Sequence, residues 1–412
     1  MKEQATIPRT TRLLLWVTGF LATTSAATFA WSRFVPSEKL CPDFLQFWTA
    51  GELLASGHSP YDAEEQARVQ RELGWDRDKQ GLGIYDFLPY YYPPWLGLAC
   101  TALLPLGYPT AKAAWLLLNF QLLLLGGYHL GLLLKGVPRW IPLVAVPCFS
   151  FALFSVVIGQ IAPLLLFVIV AAWRLLEARR DFLAGAVLAL ALTKPQIGAV
   201  VVGALLLWAA RQRRWKVLYG FFLCLSLLCL GSFAVLPSWP RLVLNALKQT
   251  PLVTQDSPWL SVSWWTVLQT LEIPRFTLIP AYIAVAGPCL LILVRRAWDS
   301  CTELGALLAL AIPTTFIVVP YARLYDLAIL IVPLVLLLPG RLTDLCTAAA
   351  FLGCMFLPFV QFYWVRPGNP YRYEVSFFWM PALLTLLWSV RFMRGGWPEA
   401  SRPECPQKTT AA

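Results

Sequence analysis

Pro93-Pro-Trp-Leu-Gly-Leu-Ala-Cys-Thr-Ala-Leu-Leu-Pro105-Leu106 decides how this chain threads. The segment is apolar but only about 14 residues long, short of the ~20 that a helix needs to cross the hydrocarbon core. Counted as a crossing, it would put Lys135 and Arg139 outside and invert every later basic cluster. Read as a re-entrant or interface-lying helix, it leaves all the clusters on one side. They are Lys2/Arg9/Arg12, Lys135/Arg139, Arg179/Arg180, Arg211/Arg213/Arg214/Lys216, Arg295/Arg296, Arg341 and Arg391/Arg394. Excess Lys and Arg marks cytoplasmic loops, so that side is the cytoplasm.

Spans follow at 13–31, 112–134, 141–158, 161–177, 182–194, 196–210, 216–236, 276–294, 302–320, 325–338, 343–362 and 375–392. The expected fold is an all-α polytopic membrane protein with about 12 transmembrane helices and both termini cytoplasmic. One integral-membrane domain covers 1–394, with a long first extracytoplasmic loop, 32–111, that contains juxtamembrane helices; 395–412 is a polar, Pro-containing tail expected to be disordered. The run to Trp31 has no convincing small-residue cleavage site and reads as a retained helix. Lys194-Pro195 separates two short runs. Proline donates no backbone hydrogen bond and pushes the preceding residue toward extended geometry, so a tight outer turn is expected there.

Composition agrees. Of 412 residues, 58% are hydrophobic and 13% charged, and mean hydropathy is +0.63; a soluble domain carries roughly 25% charged residues. The net charge of +11 resides mostly in short turns between apolar runs, so it indicates topology and not nucleic acid. The 10 cysteines show no C-x-x-C spacing and lie mostly inside apolar runs, which indicates neither a disulfide framework nor a zinc site. With only His58 and His129, a histidine-built metal site is not expected.

This threading gathers on the outer face the loop 32–111, Ile158-Gly-Gln160, Thr193-Lys-Pro-Gln196, the Trp-rich loop 237–275, Pro320-Tyr-Ala-Arg-Leu-Tyr-Asp326, and the loop 363–374 with Arg366, Arg372 and Glu374. Asp43 stands out within Cys41-Pro-Asp-Phe-Leu-Gln-Phe-Trp48. A carboxylate among aromatics at a membrane surface is costly unless used or paired, and low dielectric makes it a better proton acceptor. Asp43 also precedes the helical stretch 44–56, so it can serve as an N-cap; the two roles are compatible. Lys194, beside Gln196, suits a phosphate or is a snorkelling lysine. Gln160 can bind a sugar hydroxyl or join two helices. Arg323 and Asp326, three apart, form either a helix-end ion pair or a phosphate-binding Arg held by a carboxylate. Tyr61, Tyr85, Tyr90, Tyr91 and Tyr92 offer rings for stacking on sugars, as an interfacial aromatic belt also would. Glu52, Asp62, Glu64 and Glu65 read as a solvated face.

Four pieces carry a family resemblance: Asp43-Phe with Gly57-(x)2-Pro60-Tyr61-Asp62; Tyr92-Pro-Pro with Leu104-Pro-Leu106; Gly159-Gln160 opening a helix; and Ala184-Gly185 followed by Lys194-Pro195. In this order they resemble the GT-C membrane glycosyltransferases, and most of all glycosyltransferase family 87, the polyprenyl-phosphate-mannose-dependent mannosyltransferase-like proteins. The resemblance implies a GT-C fold and inverting transfer of a sugar, mannose foremost, from a polyprenyl-phosphate donor to a glycolipid or glycan acceptor. It places the site at the periplasmic or exterior face of a bacterial-type inner membrane, with no nucleotide sugar needed; no cofactor is expected. It puts the catalytic aspartate in the first outer loop, at Asp43. Lys194 and Arg323 are then candidates for the donor phosphate, and Gln160, Tyr61, Tyr92, Gln196, Tyr325 and Asp326 for sugar or acceptor. A transporter or flippase of a lipid-linked sugar, or an inactive GT-C scaffold, are the alternatives. Transporters are often built from internal repeats with midplane sites, and neither feature is visible here.

Overall fold

The computed structural model describes residues 40–75, 87–249, 261–338, 345–365 and 374–393; the expected first span 13–31 and the tail 395–412 lie outside them. Among the described residues the chain is helical, with no strand. Helices α1 (Phe44–Ala55), α2 (Ala63–Glu72) and α3 (Pro94–Thr101) precede the first long helix, α4 (Tyr108–Leu133). There follow α5 (Trp140–Cys148), α6 (Ser150–Ile158), α7 (Ala162–Glu177), α8 (Asp181–Ala189), α9 (Pro195–Arg211) and α10 (Trp215–Val235). The rest are α11 (Trp239–Gln249), α12 (Trp264–Thr270), α13 (Arg275–Trp298), α14 (Leu304–Val318), α15 (Ile331–Val335), α16 (Leu345–Val365) and α17 (Trp379–Met393).

Helices α4, α10 and α13 are long and apolar enough to cross a membrane, and α5 with α6 is an apolar pair bent by 54°, a broken span or a re-entrant loop. The expected single span 141–158 is therefore kinked. Its cause is Pro147, which removes a backbone donor and clashes with the preceding turn. The segment 93–106 contains the 8-residue α3 and a 3-10 turn at Leu104–Leu106. Eight helical residues rise about 12 Å, well under the ~30 Å hydrocarbon core. Instead α3 packs on α1, where Gly97 admits the Leu54 side chain.

Burial sorts the helices. Every residue from Leu304 to Ile317 is buried, as is every residue from Leu324 to Val335, so these two segments form the centre. In contrast α10 and α13 expose Tyr219, Phe222, Leu227 and Leu230, and Phe276, Ile279 and Ile283. Such continuous apolar surface fits a lipid environment. Helices α8 and α10 cross at glycines: a Cβ on Gly185 would lie 1.9 Å from the Val217 carbonyl oxygen, and one on Gly220 2.0 Å from that of Phe182.

The basic turns interlock at one end of the bundle. Arg214 pairs with Asp181 and donates to the Leu176 carbonyl at 2.7 Å. Arg211 and Gln212 donate to the carbonyls of Trp298 and Ser300 at 3.1 and 2.8 Å. Cys301, at this end, is disulfide-bonded, contrary to the expectation from cysteine spacing.

One consequence of this threading is directly measurable. Ala102, exposed just after α3, lies at the end opposite the basic turns. An Ala102→Cys variant is expected to react with a membrane-impermeant maleimide added to intact cells. Reaction only in inverted vesicles contradicts the threading.

Candidate active site

The opposite end of the bundle is held together by polar contacts between segments distant in sequence. The backbone N–H groups of Cys41 and Asp43 donate to the carbonyls of Val157 and Ile158 at 2.6 and 2.9 Å. This strap lays the start of α1 across the end of α6. Gly159 makes the approach possible. It adopts φ +81°, and a Cβ there would lie 3.1 Å from the Cys41 Cα. The Trp115 indole donates to the Gly159 carbonyl at 2.7 Å. On the other flank, Trp95 Nε1 donates to Thr193 Oγ1 at 3.0 Å. The loop before α12 joins through Val262 N–H to the Ala322 carbonyl, 2.7 Å, and Ser263 Oγ to the Pro320 carbonyl, 2.9 Å. The segments that the threading assigned to the outer face thus meet at one end.

Asp43 lies at their centre. It occupies the N-cap position of α1, yet its side chain makes no capping hydrogen bond. Its Oδ2 accepts from Gln160 Nε2 at 2.5 Å. Gln160 Oε1 in turn accepts from the Tyr92 hydroxyl at 2.9 Å. This chain fixes the amide: an ionised carboxylate only accepts, so the NH2 must face Asp43 and the oxygen must face Tyr92. Burial pushes the Asp43 carboxyl above the ordinary carboxylate range, against the hydrogen bond from Gln160 and the positive charges of Arg323 and Lys194.

Two ion pairs stand behind it. Lys194 Nζ meets Asp326 Oδ1 at 2.6 Å, with both side chains almost wholly buried. Asp326 Oδ2 accepts the Arg323 backbone N–H at 2.9 Å. The Arg323 guanidinium grips Glu374 through Nε and Nη2 at 2.7–3.1 Å, and Glu374 also accepts the Leu324 N–H at 3.1 Å. Lys194 sits 4.3 Å from the Tyr325 ring centroid, a cation–π contact. Among the described residues Asp43 makes no ion pair, unlike Asp326 and Glu374.

Several expectations change. Asp326 does not hold the Arg323 guanidinium; Lys194 takes the Asp326 carboxylate and Glu374 takes the guanidinium. Lys194 is 2% exposed and paired with Asp326. Arg323, 22% exposed, is the more accessible cation. Gln160 is 1% exposed and engaged at both ends, with Asp43 and with Tyr92. Tyr61 donates to the Tyr92 carbonyl at 2.7 Å, and Tyr92, Tyr325 and Asp326 are buried. Gln196 lies partly exposed in the first turn of α9. Asp62, by contrast, does cap its helix, accepting from Glu64 and Glu65 N–H groups. Glu374 was visible only as one charge of a late loop; its pairing with Arg323 spans 51 positions and has no local signal. Among the described residues no three His, Cys, Asp or Glu converge as metal ligands.

A family model, Glycosyltransferase family 87, matches residues 90–320, more than half of the chain. The chain belongs to glycosyltransferase family 87. No curated protein and no solved structure shows a match. The matched stretch of this family 87 protein contains Tyr92, Gln160, Lys194 and Gln196. It begins after Asp43 and Tyr61 and ends before Arg323, Tyr325 and Asp326.

The buried pair has a testable energetic signature. Removing one partner strands the other charge, at a cost of about 3–5 kcal/mol. Lys194→Met is therefore expected to lower the thermal midpoint sharply, and adding Asp326→Leu to recover much of the loss. A Lys194→Met midpoint equal to wild type contradicts the pairing.

Proposed function

We propose that this glycosyltransferase moves a sugar, mannose foremost, from a polyprenyl-phosphate donor to a lipid-linked or glycan acceptor, with inversion, at the extracytoplasmic face. The observation that carries this reading is an unpaired carboxylate, Asp43, aimed by Gln160 and flanked by cations, at the end of the bundle away from the basic turns.

The chemistry is a single displacement. Asp43 takes the proton of the acceptor hydroxyl as that oxygen bonds to C1 of the donor sugar. The bond from C1 to the phosphate oxygen breaks on the opposite face, so the configuration inverts. Charge accumulates on the departing phosphate, and the exposed edge of Arg323 is the group suited to meet it. Lys194 contributes through its field and by holding the segment 320–326 in place. The apolar helix α3, beside Thr193 through Trp95, borders the path by which a prenyl chain reaches the phosphate position.

A positioned general base contributes roughly 10²–10⁴-fold. Asp43→Asn is expected to lower transfer by that factor in proteoliposomes while leaving the thermal midpoint near wild type; wild-type turnover rules Asp43 out as the base. The acid limb of the pH–rate profile provides a second check. Asp43 works only when ionised, and burial raises its pKa. Activity is therefore expected to fall, on acidification, at a pH above the ordinary aspartate value of 3.8. A limb at or below that value contradicts the assigned environment.

A further inference from the structure

We infer that Gln160 and Tyr92 form a relay that sets both the orientation and the proton affinity of Asp43. This rests on the reading of Asp43 as the base and deepens it. The relay is defined by geometry. Tyr92 Oη donates to Gln160 Oε1 at 2.9 Å, and Gln160 Nε2 donates to Asp43 Oδ2 at 2.5 Å. Gln160 is buried, so no water competes for its amide. Tyr92 is itself fixed: its ring packs on Phe47 with centroids 5.1 Å apart, and its carbonyl takes the Tyr61 hydroxyl. The backbone strap at 41–43 and 157–158 sets the distance between Asp43 and Gln160. Cys41, within that strap, adopts φ +50°, a left-handed conformation that is strained for a non-glycine residue.

Each part has a consequence. With Oδ2 held by Gln160, Oδ1 is the lone-pair site turned to an incoming hydroxyl. A donor aimed at the ionised carboxylate favours that form, so the amide counters the effect of burial and keeps Asp43 charged. The Tyr92 hydroxyl stops the amide from flipping, which would turn its oxygen toward the carboxylate and raise the proton affinity. The other groups whose charge reaches Asp43 are Arg323 and Lys194, with Cys41 and Tyr92 as neutral titratable neighbours. The charges of Arg323 and Lys194 are held by their own partners, Glu374 and Asp326, and not by Gln160. Gln160 and Tyr92 are positioning residues; they act through Asp43.

The test reads Asp43 without needing a substrate. Dicyclohexylcarbodiimide modifies protonated carboxyls in apolar surroundings, so its labelling of Asp43 across a pH series, followed by peptide mass spectrometry, gives a titration midpoint. A hydrogen bond to a charged group contributes enough to move that midpoint by about 1–2 pH units. Gln160→Leu is expected to raise the midpoint by that amount, and Tyr92→Phe to raise it by a smaller one. If Gln160→Leu does not fold, Gln160→Asn, which shortens the reach to Asp43, takes its place. Folded variants whose midpoint equals wild type overturn the relay. The outcome is separable from that of the base assignment: an inactive Asp43→Asn with unmoved midpoints removes only the relay, whereas a fully active Asp43→Asn removes the base.

Discussion

The buried contact between Lys194 and Asp326 is the constraint on which the rest of the site depends. It joins positions 132 apart in sequence at 2.6 Å. A lysine and an aspartate removed from water are tolerable only together, so the helix break at 193–195 and the segment 320–326 must be adjacent for the chain to fold. Once they are adjacent, the other elements have little freedom. The Arg323 backbone N–H falls on the same carboxylate, and its guanidinium turns to Glu374. Trp95 reaches Thr193, which places α3, and α3 packs on α1, whose first residue follows Asp43.

Much of the architecture was legible in the sequence because membranes impose strong rules. Apolar runs locate the helices and Pro195 marks a break, whereas the bend after Pro147 was missed because proline is tolerated inside membrane helices. The segment 93–106 was readable as too short for a membrane-crossing helix, and its helix is 8 residues long. The polar end of the bundle was readable as a set of segments, since each follows from alternate crossings. Partners within that set were not. Arg323 and Asp326, three apart, suggest each other locally, but buried charges are paired by tertiary distance, and Lys194 and Glu374 are the closer partners. Gln160 has the same residue type whether it binds a sugar or an aspartate; only its burial separates the two.

The pairing pattern carries a functional meaning. Four of the charged groups at this end, Lys194, Asp326, Arg323 and Glu374, neutralise one another and form a stiff frame. Asp43 is held by a neutral amide instead. A carboxylate treated this way keeps its proton affinity and its free oxygen, which a base requires and a structural ion does not. The frame leaves one cation edge, on Arg323, within the field of that carboxylate. On the proposed reading, Asp43 would serve as base and that edge as the cation for an in-line displacement.

The most direct measurement is the stereochemistry of the product. Purified protein in proteoliposomes is supplied with a panel of polyprenyl-phosphate sugars and a membrane glycolipid extract; products are identified by mass spectrometry and their new linkage by NMR. The account predicts transfer with an anomeric configuration opposite to that of the donor. Retention of configuration would contradict a single displacement with Asp43 as base, and absence of any transfer from these donors would contradict the donor class.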